Sequence, residues 1–124
     1  MMRSLIFILA ALNGINAIFM LLAPRVWYAQ VPGVTETGPY NSHFVTDIAL
    51  AFAASSAGLA LAGLRPSQAV AALLAPAVFL GGHGLFHLTA TGHHGHWLRD
   101  GLLVVLPNLL PVAILFTLWR KAAR

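Results

Sequence analysis

Four long apolar stretches constrain the fold of this chain more than any other feature of its sequence. They run from about Ser4 to Ala23, Ser42 to Leu64, Ser67 to Ala90 and Leu98 to Trp119. Each has about twenty residues or slightly more, which is the length that a helix needs to cross the hydrocarbon core of a bilayer. Such stretches are too long for barrel strands, and a helix satisfies its own backbone groups in lipid. We therefore expect an all-α, four-transmembrane-helix bundle that forms a single domain over residues 1–124.

The composition agrees with a chain embedded in lipid. Hydrophobic residues make up 59% of the sequence and charged residues only 8%, whereas soluble domains carry about 25% charged residues. There are no cysteines, which excludes disulfides and thiolate metal sites within the chain. The net charge of +4 comes from scattered residues and scarce acids rather than from a basic run, so we expect no nucleic-acid partner.

The basic residues predict how the bundle is oriented. Cations flank the start of the first stretch, the tight turn between the second and third stretches, and the end of the fourth: Arg3, Arg65, Arg120, Lys121 and Arg124. The opposite side has only Arg25 and Arg99. Because cytoplasmic loops carry an excess of Lys and Arg, we expect both termini in the cytoplasm of a bacterium and a multi-pass protein of its inner membrane. The first apolar run continues to Leu22, which favours a spanning helix over a cleaved signal peptide.

The connections between the stretches differ in length and composition. The first is long and faces outward in this orientation; Trp27 and Tyr28 near its start are typical of a segment lying in the headgroup layer. A Pro-Gly pair at 32–33 and a Gly-Pro pair at 38–39 predict turns. On the inner side, Ser67 is predicted to be the N-cap of the third helix. We thus expect a long first outer loop with an interfacial segment.

The histidines and acidic residues gather toward the predicted outer end. His83 and His87 are spaced i, i+4, which places two side chains on one helix face with Cβ atoms about 5–6 Å apart. His43 and Asp47 repeat this spacing, and an antiparallel arrangement of the two helices puts the two pairs at the same depth. Ionisable groups near bilayer depth are costly and by default indicate a functional site. The candidate metal ligands are therefore His43, Asp47, His83, His87, His93, His94 and His96.

This donor set predicts a transition-metal site at the outer, periplasmic face. Imidazole-rich sites without thiolates suit zinc, copper, nickel or iron, and zinc and copper are the leading expectations. Asp47 could ligate the ion directly or orient a ligating imidazole. The loop histidines, from His93 to His96, are expected to form a cap above the site. The expected role is metal binding, handling or sensing; the sequence identifies no catalytic residue and leaves enzymatic activity open.

Two other interpretations remain open. Glycines flank His83 on both sides, and they either permit close helix packing or leave room for a bulky group such as a haem edge. With His43 and His87 as axial ligands, the protein would be a haem-binding or metal-dependent membrane redox enzyme. Alternatively, the polar residues serve packing in a structural subunit of a membrane complex. The small residues of the second stretch are compatible with a homo-oligomer or a membrane partner in every case.

A motif at the start of the second stretch resembles one in known membrane proteins. The segment Gly38 to Asp47, GPYNSHFVTD, followed by a helix of small residues, resembles a motif of small four-helix bacterial membrane proteins whose plan is similar to that of DoxX-like proteins. The resemblance implies an inner-membrane four-helix bundle and no particular activity. The His83–His87 pair followed by His93-His94 also resembles the histidine boxes of membrane desaturases and hydroxylases, which use more histidines and hold them on the cytoplasmic side.

Overall fold

The computed structural model describes the backbone of residues 1–94 and 97–123, with the side chains of these residues except 90–94. Throughout these ranges the elements are helical and no strand occurs. Numbered in chain order, the α-helices are α1 (Met2–Leu22), α2 (Pro24–Gln30), α3 (Ser42–Leu64), α4 (Ala69–His94), α5 (Trp97–Asp100) and α6 (Leu106–Ala122). Short 3-10 helices span Val34–Thr37 and Pro66–Gln68, and a π-helical turn, Gly101–Val105, joins α5 to α6.

Four of the helical segments are long and apolar enough to cross a membrane, as predicted. They are Met2–Leu22, Ser42–Leu64, Pro66–Thr89 and Trp97–Ala122. Only 17% to 39% of the most apolar window in each segment is buried inside the protein. Most of the apolar side chains therefore face outward, as they must in a protein whose solvent is lipid.

Small residues set the closest contacts between the long helices, which pack in the order α1, α3, α4, α6. Ser56 of α3 donates a hydrogen bond to the Ala10 carbonyl of α1 at 2.7 Å, and Gly58 lies directly against Pro76 of α4. Missing or short side chains let helix backbones approach closely in lipid. The largest fully buried side chains are Met20, Leu59, Leu73, Leu80, Pro76 and Pro111.

The helix boundaries near the predicted caps differ from the expectation. Ser67 lies inside the 3-10 helix Pro66–Gln68 and α4 begins only at Ala69, so the prediction of Ser67 as the N-cap was wrong. The fixed φ of proline favours such a turn and allows α4 to begin only after it. At the start of α3, the Asn41 side chain accepts a hydrogen bond from a first-turn N–H at 3.1 Å. The backbone of α4 continues to His94, beyond the predicted end at Ala90.

The π-helical turn has a physical cause in the proline that follows it. Pro107 lacks an N–H, and its ring would clash with the carbonyl four residues earlier in a regular helix. The turn is widened instead, and the N–H of Leu106 bonds to the Gly101 carbonyl. Since α5, the π turn and α6 are continuous, together they make one segment that is long and apolar enough to cross a membrane.

The first outer connection is held against the bundle by hydrogen bonds. Its predicted interfacial segment forms α2, where Trp27 donates from Nε1 to the Asn16 side chain of α1 at 2.9 Å. Tyr28 donates from its hydroxyl to the Gly38 carbonyl at 2.6 Å. Gly33 and Gly38 have φ values of +86° and +130°, which non-glycine residues rarely adopt. The turn predicted at 32–33 is thus confirmed, whereas the chain at 38–39 has only a bend at Pro39.

Candidate functional site

His83 and His87 of α4 form a pair of neighbouring imidazoles. Their ring centroids are 4.6 Å apart with an interplanar angle of 67°, as expected from the i, i+4 spacing of a continuous helix. Both side chains are half-buried. The pair lies within the segment that is long and apolar enough to span a membrane, Pro66–Thr89.

Aromatic side chains surround His83 and fix where its ring lies. Phe79, one turn earlier in α4, stacks on it with centroids 5.9 Å apart and an angle of 17°. Phe52 of α3 meets it edge-on at 5.7 Å, and Phe86 meets the His87 ring at the same distance. The imidazole pair therefore lies beside α3 on the inner side of α4.

His43 and Asp47 form a second i, i+4 pair at the start of α3. The His43 Nδ1 atom and an Asp47 carboxylate oxygen are 3.8 Å apart. These side chains are 87% and 59% exposed. By contrast, Val45, which lies between them in the sequence, and Ala49, which follows them, are buried. The pair thus occupies the outward face of α3 and not the face that packs on its neighbours.

The directions in which side chains leave the axis of α3 explain why the His43–Asp47 pair does not meet the His83–His87 pair. Phe52 marks the direction from α3 toward His83. At about 100° per residue, Asp47 lies about 140° and His43 about 180° around the helix from Phe52. Equal depth in antiparallel helices therefore does not bring these groups together, because they point in different directions.

Among the described side chains, no group of three or more His, Asp or Glu residues lies close enough together to hold a metal ion. The expected site of His43, Asp47, His83 and His87 thus divides into two pairs, of which only the α4 pair faces the interior. The side chains of His93 and His94, and His96 altogether, lie outside the described residues, and so does their expected ligation. The expected cap began after Ala90, whereas the α4 backbone includes both His93 and His94.

The glycines that flank His83 have different roles. A Cβ at Gly81 would come within 2.5 Å of Val112, and one at Gly84 within 3.1 Å of Asn108, so both positions let α6 pack closely on α4. Gly82 alone of these glycines has open space beside it. The space that a haem edge would need beside Gly81 and Gly84 is occupied by α6.

An ion-pair network that the sequence did not reveal lies next to the histidine pair. Arg99 donates from both terminal nitrogens to the two carboxylate oxygens of Glu36, each at 3.1 Å, and from Nε to Asp100 at 2.7 Å. The Asp100 carboxylate in turn acts electrostatically on His87. The bond to Asp100 joins neighbours in the chain, whereas the contact with Glu36 was not predicted from the sequence. The one available signal was that Glu36 and Arg99 fall on the same predicted side of the membrane.

Comparison with protein-family models, with curated proteins and with solved structures finds no match to this chain. The function therefore has to be argued from the chemistry of its own side chains. The resemblance to DoxX-like proteins stays a prediction.

Proposed function

We propose that this chain is a multi-pass inner-membrane protein that binds a transition-metal ion through His83 and His87 near its outer face. Its role is metal binding, handling or sensing, with zinc or copper as the ion. Remaining coordination positions belong to water or to His93, His94 and His96, which follow in the sequence. His43 and Asp47 have no part in this site, because they lie on the outward face of α3.

The distance between the two imidazoles carries the proposal. Two imidazoles on one tetrahedral zinc, with Zn–N bonds of about 2.0–2.1 Å, have ring centroids about 5 Å apart. The observed separation of the His83 and His87 centroids is 4.6 Å. Small rotations about the side-chain bonds would therefore bring one nitrogen of each ring onto a shared ion without a change in the backbone of α4.

The surroundings of the pair also favour a binding role. Polar and ionisable groups within spanning segments are costly and mark ion or substrate sites by default. His83 and His87 are half-buried within such a segment, Pro66–Thr89.

The competing explanation is that the two rings serve only packing. Edge-to-face aromatic contacts have centroid separations of about 4.5–7 Å, and the His83–His87 contact falls within that range. A structural subunit of a membrane complex would use the pair in this way. Metal content distinguishes the two explanations, because packing requires no ion.

Elemental analysis of purified protein tests the proposal, using an affinity tag without histidines. The His83→Ala/His87→Ala variant should lose the metal that wild type retains. The His43→Ala/Asp47→Ala variant is the matched control, since it removes another i, i+4 pair and should keep the metal. Equal metal in wild type and the His83→Ala/His87→Ala variant would refute the proposal. A visible absorption spectrum of the same samples checks the haem alternative, which requires a Soret band.

A further inference from the structure

The end of α6 that lies opposite the histidine pair carries a basic cleft. Phe116, Thr117, Arg120 and Lys121 line an open space of about 260 Å³. The Arg120 guanidinium lies over the Phe116 ring, 5.6 Å from its centroid. Two cations are thus presented together at the end of the segment, whereas the Thr117 hydroxyl donates to the Ala113 carbonyl at 2.7 Å.

An apolar cleft adjoins the basic one. It has a volume of about 280 Å³ and is lined by Leu74 of α4 and by Val112, Leu115, Phe116 and Trp119 of α6. Phe116 belongs to both clefts, so the two form one surface that is cationic at the end of the helix and apolar farther into the span. We call these residues the α6 groove.

We propose that the α6 groove binds one anionic glycerophospholipid. The lipid phosphate would lie at Arg120 and Lys121, and an acyl chain would follow Leu74 and Leu115 toward the middle of the membrane. Basic residues at a membrane surface attract anionic headgroups, and tryptophan favours the interface between headgroup and hydrocarbon, where Trp119 is placed.

The polarity of the groove selects a lipid over a soluble anion or a peptide. Phe116 and Trp119 are 54% and 56% exposed, and both lie in the membrane-crossing segment Trp97–Ala122. A soluble anion would use only the basic cleft and leave the apolar one to other lipids. A phospholipid matches both ends of the groove at once.

Quenching of Trp119 fluorescence by lipids brominated on the acyl chain tests the proposal. The protein is a Trp27→Phe/Trp97→Phe variant, which leaves Trp119 as the single tryptophan, in nanodiscs of unbrominated phosphatidylcholine with increasing fractions of brominated lipid. Brominated phosphatidylglycerol should quench at a lower mole fraction than brominated phosphatidylcholine. Introducing Arg120→Gln/Lys121→Gln into this variant should remove most of the preference for phosphatidylglycerol. The ratio between the mole fractions of the two lipids that give equal quenching should fall about fivefold for each cation lost.

The matched control replaces two cations at the same end of the bundle, by Arg3→Gln/Arg65→Gln, and should keep the preference. Equal losses in the two double variants would show general attraction to the surface and overturn the proposed site. A Leu74→Phe variant, which fills the apolar cleft, should weaken quenching by both lipids. Unchanged quenching there would overturn the acyl-chain position, and circular dichroism verifies that each variant is folded.

Discussion

Arg99, near the start of the long apolar segment Trp97–Ala122, donates two parallel hydrogen bonds to Glu36 in the connection between α2 and α3, each at 3.1 Å. The contact joins parts of the chain that are 63 residues apart. Arg99 also binds Asp100 of α5, which packs on α4. One guanidinium therefore links the connection between α2 and α3 to the element that follows the histidine pair.

Replacing Arg99 should loosen the first outer loop. An Arg99→Gln variant loses the paired bonds to Glu36 and should unfold at a slightly lower temperature, because solvent weakens an ion pair whose side chains are 25% and 34% exposed. Thermal unfolding in detergent measures this change, and hydrogen exchange in residues 33–38 should accelerate. Arg65→Gln, at the other end of the bundle, is the control. Exchange in the loop that matches wild type would show that the contact does not hold it.

The close packing of α3 on α4 should make Gly58 intolerant of a side chain. A Cβ there would lie 2.7 Å from the Pro76 ring and 2.8 Å from the Ala72 carbonyl. Gly58→Ala should therefore destabilise the protein by about 1–3 kcal/mol, as overpacking does. Gly82→Ala is the matched control, since Gly82 has open space beside it. Thermal unfolding of the two variants should separate them, and equal melting temperatures would contradict this packing.

Metal binding should weaken as the pH falls. An imidazole ligates only when its nitrogen is deprotonated, so protons compete with the metal for His83 and His87. Titration of purified protein with Zn²⁺ at a series of pH values from about 7.5 down to about 4 should show the affinity falling as the imidazole nitrogens take up protons. An affinity that stays constant over the whole range would argue against imidazole ligation.

The excess of cations at one end of the bundle predicts that both termini are cytoplasmic. A fluorescent protein that matures only in the cytoplasm should therefore light up when fused after Arg124. Alkaline phosphatase, which is active only in the periplasm, should stay inactive at that position and become active when inserted in the loop at Thr35. The reverse pattern would place the histidine pair at the inner face and contradict the proposed location.

The parts of the fold that depend on local rules could be predicted from the sequence. Four spans followed from the length and hydropathy of the apolar stretches, which are confirmed as helical segments. The contact of His83 with His87 followed from the i, i+4 geometry of one helix. The turn at residues 32–33 followed from the Pro-Gly pair, and Gly33 has the positive φ that such a turn favours.

The parts that depend on how separate helices meet could not be predicted. Depth along a helix follows from the rise per residue, but the azimuth of α3 is set by packing, with Phe52 against His83 and Gly58 against Pro76. That rotation places Asp47 on the outward face. The pairing of Glu36 with Arg99 also needs the three-dimensional arrangement, since neither residue has a local pattern that indicates its partner.

X-ray absorption at the metal edge tests the shared ligation by His83 and His87 most directly, because imidazole rings give a characteristic outer-shell scattering. Zinc-loaded wild type should show at least two imidazole ligands, and so should the His43→Ala/Asp47→Ala control. The His83→Ala/His87→Ala variant should lose this scattering or bind no zinc. A wild-type spectrum with oxygen ligands alone, or one that the loss of both α4 histidines leaves unchanged, would contradict the account.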